Sequence, residues 1–225
     1  MLSREDFTKL PLKERLLALQ EPMNFLRYCV FTRDEVDPLA PIKAAPVWPD
    51  APLYKPYIEP IVNIWESSPY TLLDKSRRMW ISYLMLTLHL HLSFTNTDRR
   101  VAIVSKKFED SCAHLDNMKK IYETIPEAVW PAACRPKLRS KEGFIYFDEI
   151  GSIIHAVASG PDQMRQYGFS AAFFDEMDFW DNQELTYAAA APTLQGGGKL
   201  TIATTHSFVD TGVESFYRLL SEDRV

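Results

Sequence analysis

Ala171-Ala172-Phe173-Phe174-Asp175-Glu176 orders the reading of this chain. Small and apolar residues that end in adjacent acids describe a buried strand whose tip projects carboxylates beyond the sheet. Outward from it, short apolar runs at 70–73, 101–105, 143–147, 153–158 and 200–204 alternate with helical stretches at 79–94, 107–124, 182–191 and 213–220. That alternation predicts an α/β chain, a mostly parallel sheet covered by helices on both faces. Ligands of such sheets sit at the carboxyl ends of the strands, where Asp175 and Glu176 fall.

Two acids at a strand tip form the Walker B pattern. One acid holds the water shell of Mg²⁺ on nucleotide phosphates and the next orients the attacking water. Asp175 takes the first role and Glu176 the second. The plainer reading is a strand running into an acidic loop. A second stretch bears on the choice. Thr71-Leu72-Leu73-Asp74 reads as a strand, then comes Lys75-Ser76-Arg77-Arg78-Met79-Trp80-Ile81-Ser82, then a long apolar helix. Strand, tight polar loop and helix make the phosphate-cradling arrangement, with the helix N-terminus facing the anion. The usual G-x-x-x-x-G-K-[ST] is broken: no glycine is present, and Ile81 occupies the lysine position. Ser82 alone keeps its place, that of a Mg²⁺ ligand.

The chain of 225 residues is 46% hydrophobic and 12% aromatic, enough to bury a substantial core. A formal net charge of −5 argues against a protein that coats DNA by bulk charge, so any DNA contact needs a local basic patch. Cys29, Cys112 and Cys134 are widely spaced and read as free thiols in a reducing cytosol. The first residues mix Arg4, Glu5, Asp6 and Lys9 with apolar positions, unlike a signal peptide. The apolar run at 79–94 falls short of the roughly 20 residues a membrane span needs and reads as a buried core helix. Residues 2–30 carry helical periodicity, and residues 31–56 hold six prolines, which excludes regular helix or central strand there. The expected organisation is a helical arm with a Pro-rich connector over 1–56 and a main body over 57–225.

Other residues invite two readings each. Arg135, Lys137, Arg139 and Lys141 would share one face if extended. Such a row can track DNA phosphates, or it can defend a solvated edge strand by charge. His89 and His91 lie roughly 200° apart on a helix and cannot share a metal, so they read as packing residues. Trp65 and Tyr70 precede the phosphate loop and could stack on adenine or pack in the core. Asp178, Asp181 and Glu184 read as a solvated acidic turn.

The set as a whole resembles the N-terminal ATPase domain of tailed-bacteriophage large terminases, in order over residues 72–208. The loop at 75–82 resembles their deviant Walker A, in which the lysine stands at the start of the loop, as Lys75 does. Ala158-Ser159-Gly160-Pro161-Asp162-Gln163-Met164-Arg165 is similar to their loop before Walker B, which ends in an arginine. Lys199-Leu200-Thr201-Ile202-Ala203-Thr204-Thr205 is similar to their coupling motif. Trp80 is bulky for such a loop, and His206 stands where a proline is usual. The resemblance implies a P-loop NTPase of the ASCE, RecA-like kind that hydrolyses ATP with Mg²⁺. Lys75, Ser76, Arg77, Arg78 and Ser82 would hold the phosphates, and Asp175 with Ser82 the metal. Glu176 would be catalytic, Arg165 a finger acting in its own or a neighbouring site, and Thr204 and Thr205 the coupling residues. Implied partners are ATP, double-stranded DNA, a homo-oligomeric ring (a pentamer), the portal protein and the small terminase subunit, with no membrane. The implied place is the bacterial host cytoplasm, docked on the procapsid. The family's nuclease domain has no counterpart in these residues. Two other readings remain open: a helicase-like lobe, since Asp175-Glu176-Met177-Asp178 fits a DExD box, and a non-hydrolysing structural subunit of a ring.

Overall fold

The computed structural model describes residues 2–32, 43–49, 54–165, 168–194 and 197–205. In chain order these form α1 (Arg4–Lys9), α2 (Leu12–Ala18), α3 (Pro22–Cys29), β1 (Phe31–Thr32), β2 (Lys43–Ala44), α4 (Ile58–Ser67) and β3 (Tyr70–Lys75). Then come α5 (Ile81–Thr95), β4 (Arg100–Ser105), α6 (Phe108–Glu123), β5 (Arg139–Lys141), β6 (Phe144–Phe147) and β7 (Ser152–Ala158). The described part ends with α7 (Pro161–Arg165), β8 (Ala171–Asp175), α8 (Gln183–Leu194) and β9 (Lys199–Thr205). The helix expected at 213–220 lies outside the described residues, as does His206.

Seven strands form one sheet in the order β3-β9-β8-β4-β7-β6-β5. From β3 to β7 neighbouring strands run parallel, and only β6 and β5 are antiparallel additions. The central strands are buried on both faces, so alternate residues enter different cores. In β4, Val101 and Ile103 join one apolar cluster while Ala102 and Val104 join the other. The first cluster takes Ile81, Leu84 and Leu88 from α5 and Leu115 and Met118 from α6. The second takes Met164 from α7 and Ala189 and Ala190 from α8. Helices therefore cover both faces, and the α/β class read from the sequence is the class observed.

Helix α5 is apolar almost all round because it is enclosed almost all round. The sheet-side neighbours cover one flank, and the N-terminal helices cover another. Phe25 of α3 packs against His91, Phe94 and Trp130 at centroid distances of 5.0, 5.4 and 6.3 Å. Residues of α1 to α3 thus belong to the same cluster as the sheet. Helix α4 was not foreseen, although Ile58, Val62 and Trp65 give it a buried face at i, i+4 and i+7. The loop read at 158–165 contains the short helix α7. Among the described residues no helix is long and apolar enough to cross a membrane.

The basic row loses one member: Lys137, Arg139 and Lys141 are exposed, but Arg135 is not. Arg135 lies outside β5 and is buried, its guanidinium 5.3 Å from the Tyr122 ring centroid and 3.1 Å from Glu127. Burial against an aromatic face and a carboxylate outweighs the solvated position expected from alternation. Arg139 remains on the exposed edge strand, where it pairs with Asp148 at 2.6 Å.

Candidate functional site

The sheet register brings three strand tips together. Lys75 of β3 pairs with Thr205 of β9, and Asp175 of β8 pairs with Ala203 of β9. Neighbouring strands lie roughly 4.8 Å apart, so side chains from all three tips are within mutual reach. Glu176, the first residue past β8, turns back at φ +53°, a left-handed conformation uncommon outside glycine. Its N–H donates to Ala203 O at 2.7 Å. Its carboxylate accepts from Thr205 N–H at 2.6 Å, from Thr205 Oγ1 at 2.9 Å and from Lys75 Nζ at 2.5 Å. Four bonds over-determine the turn, which is how such backbone strain persists.

Asp175 is 7% exposed and faces two donors. Ser82, in the first turn of α5, donates from Oγ to Oδ1 at 2.7 Å. His114 of α6 lies with Nε2 2.9 Å from Oδ2. The Trp180 indole donates to the Asp175 backbone carbonyl at 3.2 Å and fixes the chain behind it.

The loop between β3 and α5 makes left-handed turns without glycine. Arg78 (φ 63°) and Trp80 (φ 65°) both adopt the left-handed conformation that glycine takes without cost. Trp80 caps α5, and its ring lies 5.0 Å from that of Tyr83. Ser76 N–H donates to Met79 Sδ at 3.3 Å. Ile81, in the position of the usual lysine, is 3% exposed and packed in the core.

A cleft of about 1230 Å³ opens above these residues. Lys75, Arg77, Arg78, Ser82, Asp175 and Glu176 lie along it, as does the α6 face bearing Asp110, His114 and Asn117. Its volume exceeds the roughly 300–1,000 Å³ of ordinary small-molecule pockets. Ser76 is exposed but does not line it. Thr205 borders the site through Glu176, whereas Thr204 is 1% exposed and accepts from Asp178 N–H at 3.1 Å. Arg165 stands on α7 outside the cleft lining, its side chain 64% exposed and 3.5 Å from Asp162.

Several other residues lie away from the cleft lining. Trp65 is buried, donates to Thr201 Oγ1 at 2.9 Å and lies under the Lys199 ammonium. Tyr70 begins β3, at the end of the strand opposite Lys75, and is exposed rather than packed in the core. Neither lines the cleft. His89 and His91 are core residues bonded to the Met85 and Leu19 carbonyls, each at 2.8 Å, and burial pushes both down to about 4. Asp178 is buried rather than solvated, while Asp181 stays exposed and pairs with Lys106 at 3.1 Å. The sequence reading missed His114, since no motif marks a histidine that reaches the acid from a helix 61 residues upstream.

No protein-family profile matches the sequence. Solved structures do share the architecture. The large terminase of bacteriophage HK97 superposes with a TM-score of 0.64 at 12% identity, over 91% of this chain and 42% of that one. The ATPase domain of the Thermus phage P74-26 large terminase gives 0.55 at 14% identity, over 73% and 69%. The large terminase of the thermophilic bacteriophage D6E gives 0.51 at 12% identity, over 66% and 38%. The chain thus spans less than half the length of the HK97 protein. The fold is shared with these large terminases.

Proposed function

We propose that this chain is the ATP-hydrolysing motor domain of a phage large terminase, coupling hydrolysis to the movement of double-stranded DNA into a procapsid. The observation that carries this reading is the convergence of Lys75, Ser82, Asp175, Glu176 and Thr205 at the carboxyl ends of adjacent strands. Those residues are drawn from three strands and a helix N-terminus, and they supply each part that phosphoryl transfer needs.

The Ser82 hydroxyl and Asp175 carboxylate, 2.7 Å apart, are hard oxygen donors of the kind Mg²⁺ takes alongside phosphates and water. Bound there, Mg²⁺ would neutralise phosphate charge during transfer. Lys75 meets the phosphates, with Arg77 and Arg78 on the cleft wall and Ser76 at the loop. Glu176 orients the attacking water and accepts its proton. A bound phosphate would compete with Glu176 for the Lys75 ammonium and so loosen that pair, leaving the glutamate to the attacking water. Thr205 holds Glu176 from the end of β9, so a change at Glu176 reaches that strand and Thr204 beside it. Arg165 lies outside the lining of its own cleft and, in this reading, serves the site of a neighbouring subunit. That role calls for a homo-oligomeric ring, proposed as a pentamer on the portal with the small terminase subunit, in the bacterial host cytoplasm.

The test is ATP hydrolysis by the purified chain with Mg²⁺, with and without double-stranded DNA, beside Glu176→Gln. Wild-type turnover with a loss of about 10²–10⁴ in the variant, at unchanged or tighter ATP binding, supports the reading. Tight ATP binding without hydrolysis favours the structural ring subunit. Neither binding nor hydrolysis sinks the proposal.

A further inference from the structure

We propose that His114 is a positioning residue that holds the Asp175 carboxylate in its metal-binding orientation. This rests on the nucleotide-hydrolase reading above and adds a residue that the loop and strand motifs do not contain.

An ionised carboxylate offers only acceptors, so both of its neighbours must donate. Ser82 donates to Oδ1 at 2.7 Å and His114 Nε2–H donates to Oδ2 at 2.9 Å. Each oxygen has its own donor, from a different helix. Rotating the carboxylate about its Cβ–Cγ bond would break both bonds. The Ser82 hydroxyl serves two partners, because a lone pair of its oxygen is the proposed metal ligand while its O–H donates to Asp175. His114 has no such second duty, and its side chain is 18% exposed on the cleft wall.

The helix that carries it is fixed. Leu115, Met118 and Ile121 of α6 are buried in the core, and the buried Ser111 hydroxyl donates to Val157 O of β7 at 2.7 Å. The imidazole is therefore delivered from a rigid element to one oxygen of a buried acid. Groups that orient a metal ligand in this way are typically worth about 10–100-fold in metal affinity or activity.

The experiment titrates Mg²⁺ into each protein with a fluorescent ATP analogue, and repeats the binding in EDTA. Wild type, His114→Ala and His114→Gln are compared, each with its melting temperature. The alanine variant is expected to raise the half-saturating Mg²⁺ about tenfold or more, with binding in EDTA and melting temperature unchanged. Glutamine, whose amide nitrogen can reach the same oxygen, is expected to recover most of the loss. An unchanged Mg²⁺ requirement in His114→Ala overturns the proposal. So does an equal loss in EDTA, or a defect in binding or melting that glutamine does not reverse. Wild type that binds the analogue without any dependence on Mg²⁺ removes the nucleotide-hydrolase reading and this proposal with it.

Discussion

Lys75 Nζ donates to Glu176 Oε1 at 2.5 Å, spanning from β3 to the tip of β8 across the intervening β9. The Lys75 side chain is 7% exposed, while Glu176 is 36% exposed. An ammonium so enclosed needs an anion beside it. Glu176 is that anion here, and a phosphate is the natural competitor for the same place.

Lys75→Ala is therefore expected to weaken ATP binding at least tenfold and to cut turnover severely. Adding Ile81→Lys will not restore either, because position 81 is 3% exposed within the apolar cluster. A lysine there faces burial of its charge, not the phosphates. Binding measurements and melting curves on the single and double variants check both statements. Full activity in Lys75→Ala would pass the phosphate role to Arg77 or Arg78.

Arg165 is expected to act between subunits, since its side chain is 64% exposed and lies outside its own cleft. An arginine on the developing charge is worth roughly 10³–10⁵ in rate. Arg165→Ala and Glu176→Gln subunits should each be inactive alone. Mixed into one ring, they should recover part of the ATPase rate, as an intact arginine meets an intact glutamate. Rings shown to be mixed yet silent would return Arg165 to its own subunit or to no catalytic role.

Acid should destabilise the fold through its buried histidines. Burial holds His89 and His91 at about 4, against 6.5 for an unburied histidine. Between those values the unfolded chain binds protons that the folded chain refuses. Stability is complete above about pH 6.5 and falls as the pH drops towards 4, by about 1.4 kcal/mol per pH unit for each histidine. His91→Gln keeps a donor for Leu19 O and should remove one histidine's share of that slope. Denaturant midpoints at pH 7 and pH 5 measure it; an unchanged slope would contradict the assignment.

Phe25→Ala should cost about 3–5 kcal/mol, the usual loss for emptying a buried aromatic site. The ring is fully buried between α5 and Trp130. Chemical denaturation should show one transition shifted as a whole. A loss below about 1 kcal/mol would mean that α3 docks without sharing the cooperative core.

Much of the strand and helix pattern was readable because its signal is local. Phe173 and Phe174 enter opposite cores, yet both are apolar, so β8 announces a strand enclosed on both faces. Helix α4 is hidden in the sequence because its first turn, Ile58-Glu59-Pro60, lies just beyond a proline-rich stretch, although proline is tolerated in a first turn. Arg135 and Asp178 were assigned to solvent by their charge, whereas the tertiary structure encloses both.

By itself the sequence determined that an acid pair ends a buried strand and that a lysine opens a glycine-free loop before a long apolar helix. Those are statements about neighbours in the chain, where alternation and turn chemistry act. Only the tertiary structure decided that Lys75 meets Glu176, residues 101 positions apart, and that His114 meets Asp175. The same strands could pair in another order with their local patterns intact. The order β3-β9-β8-β4 is set by how the helices bury both faces at once, and that order places the charges together.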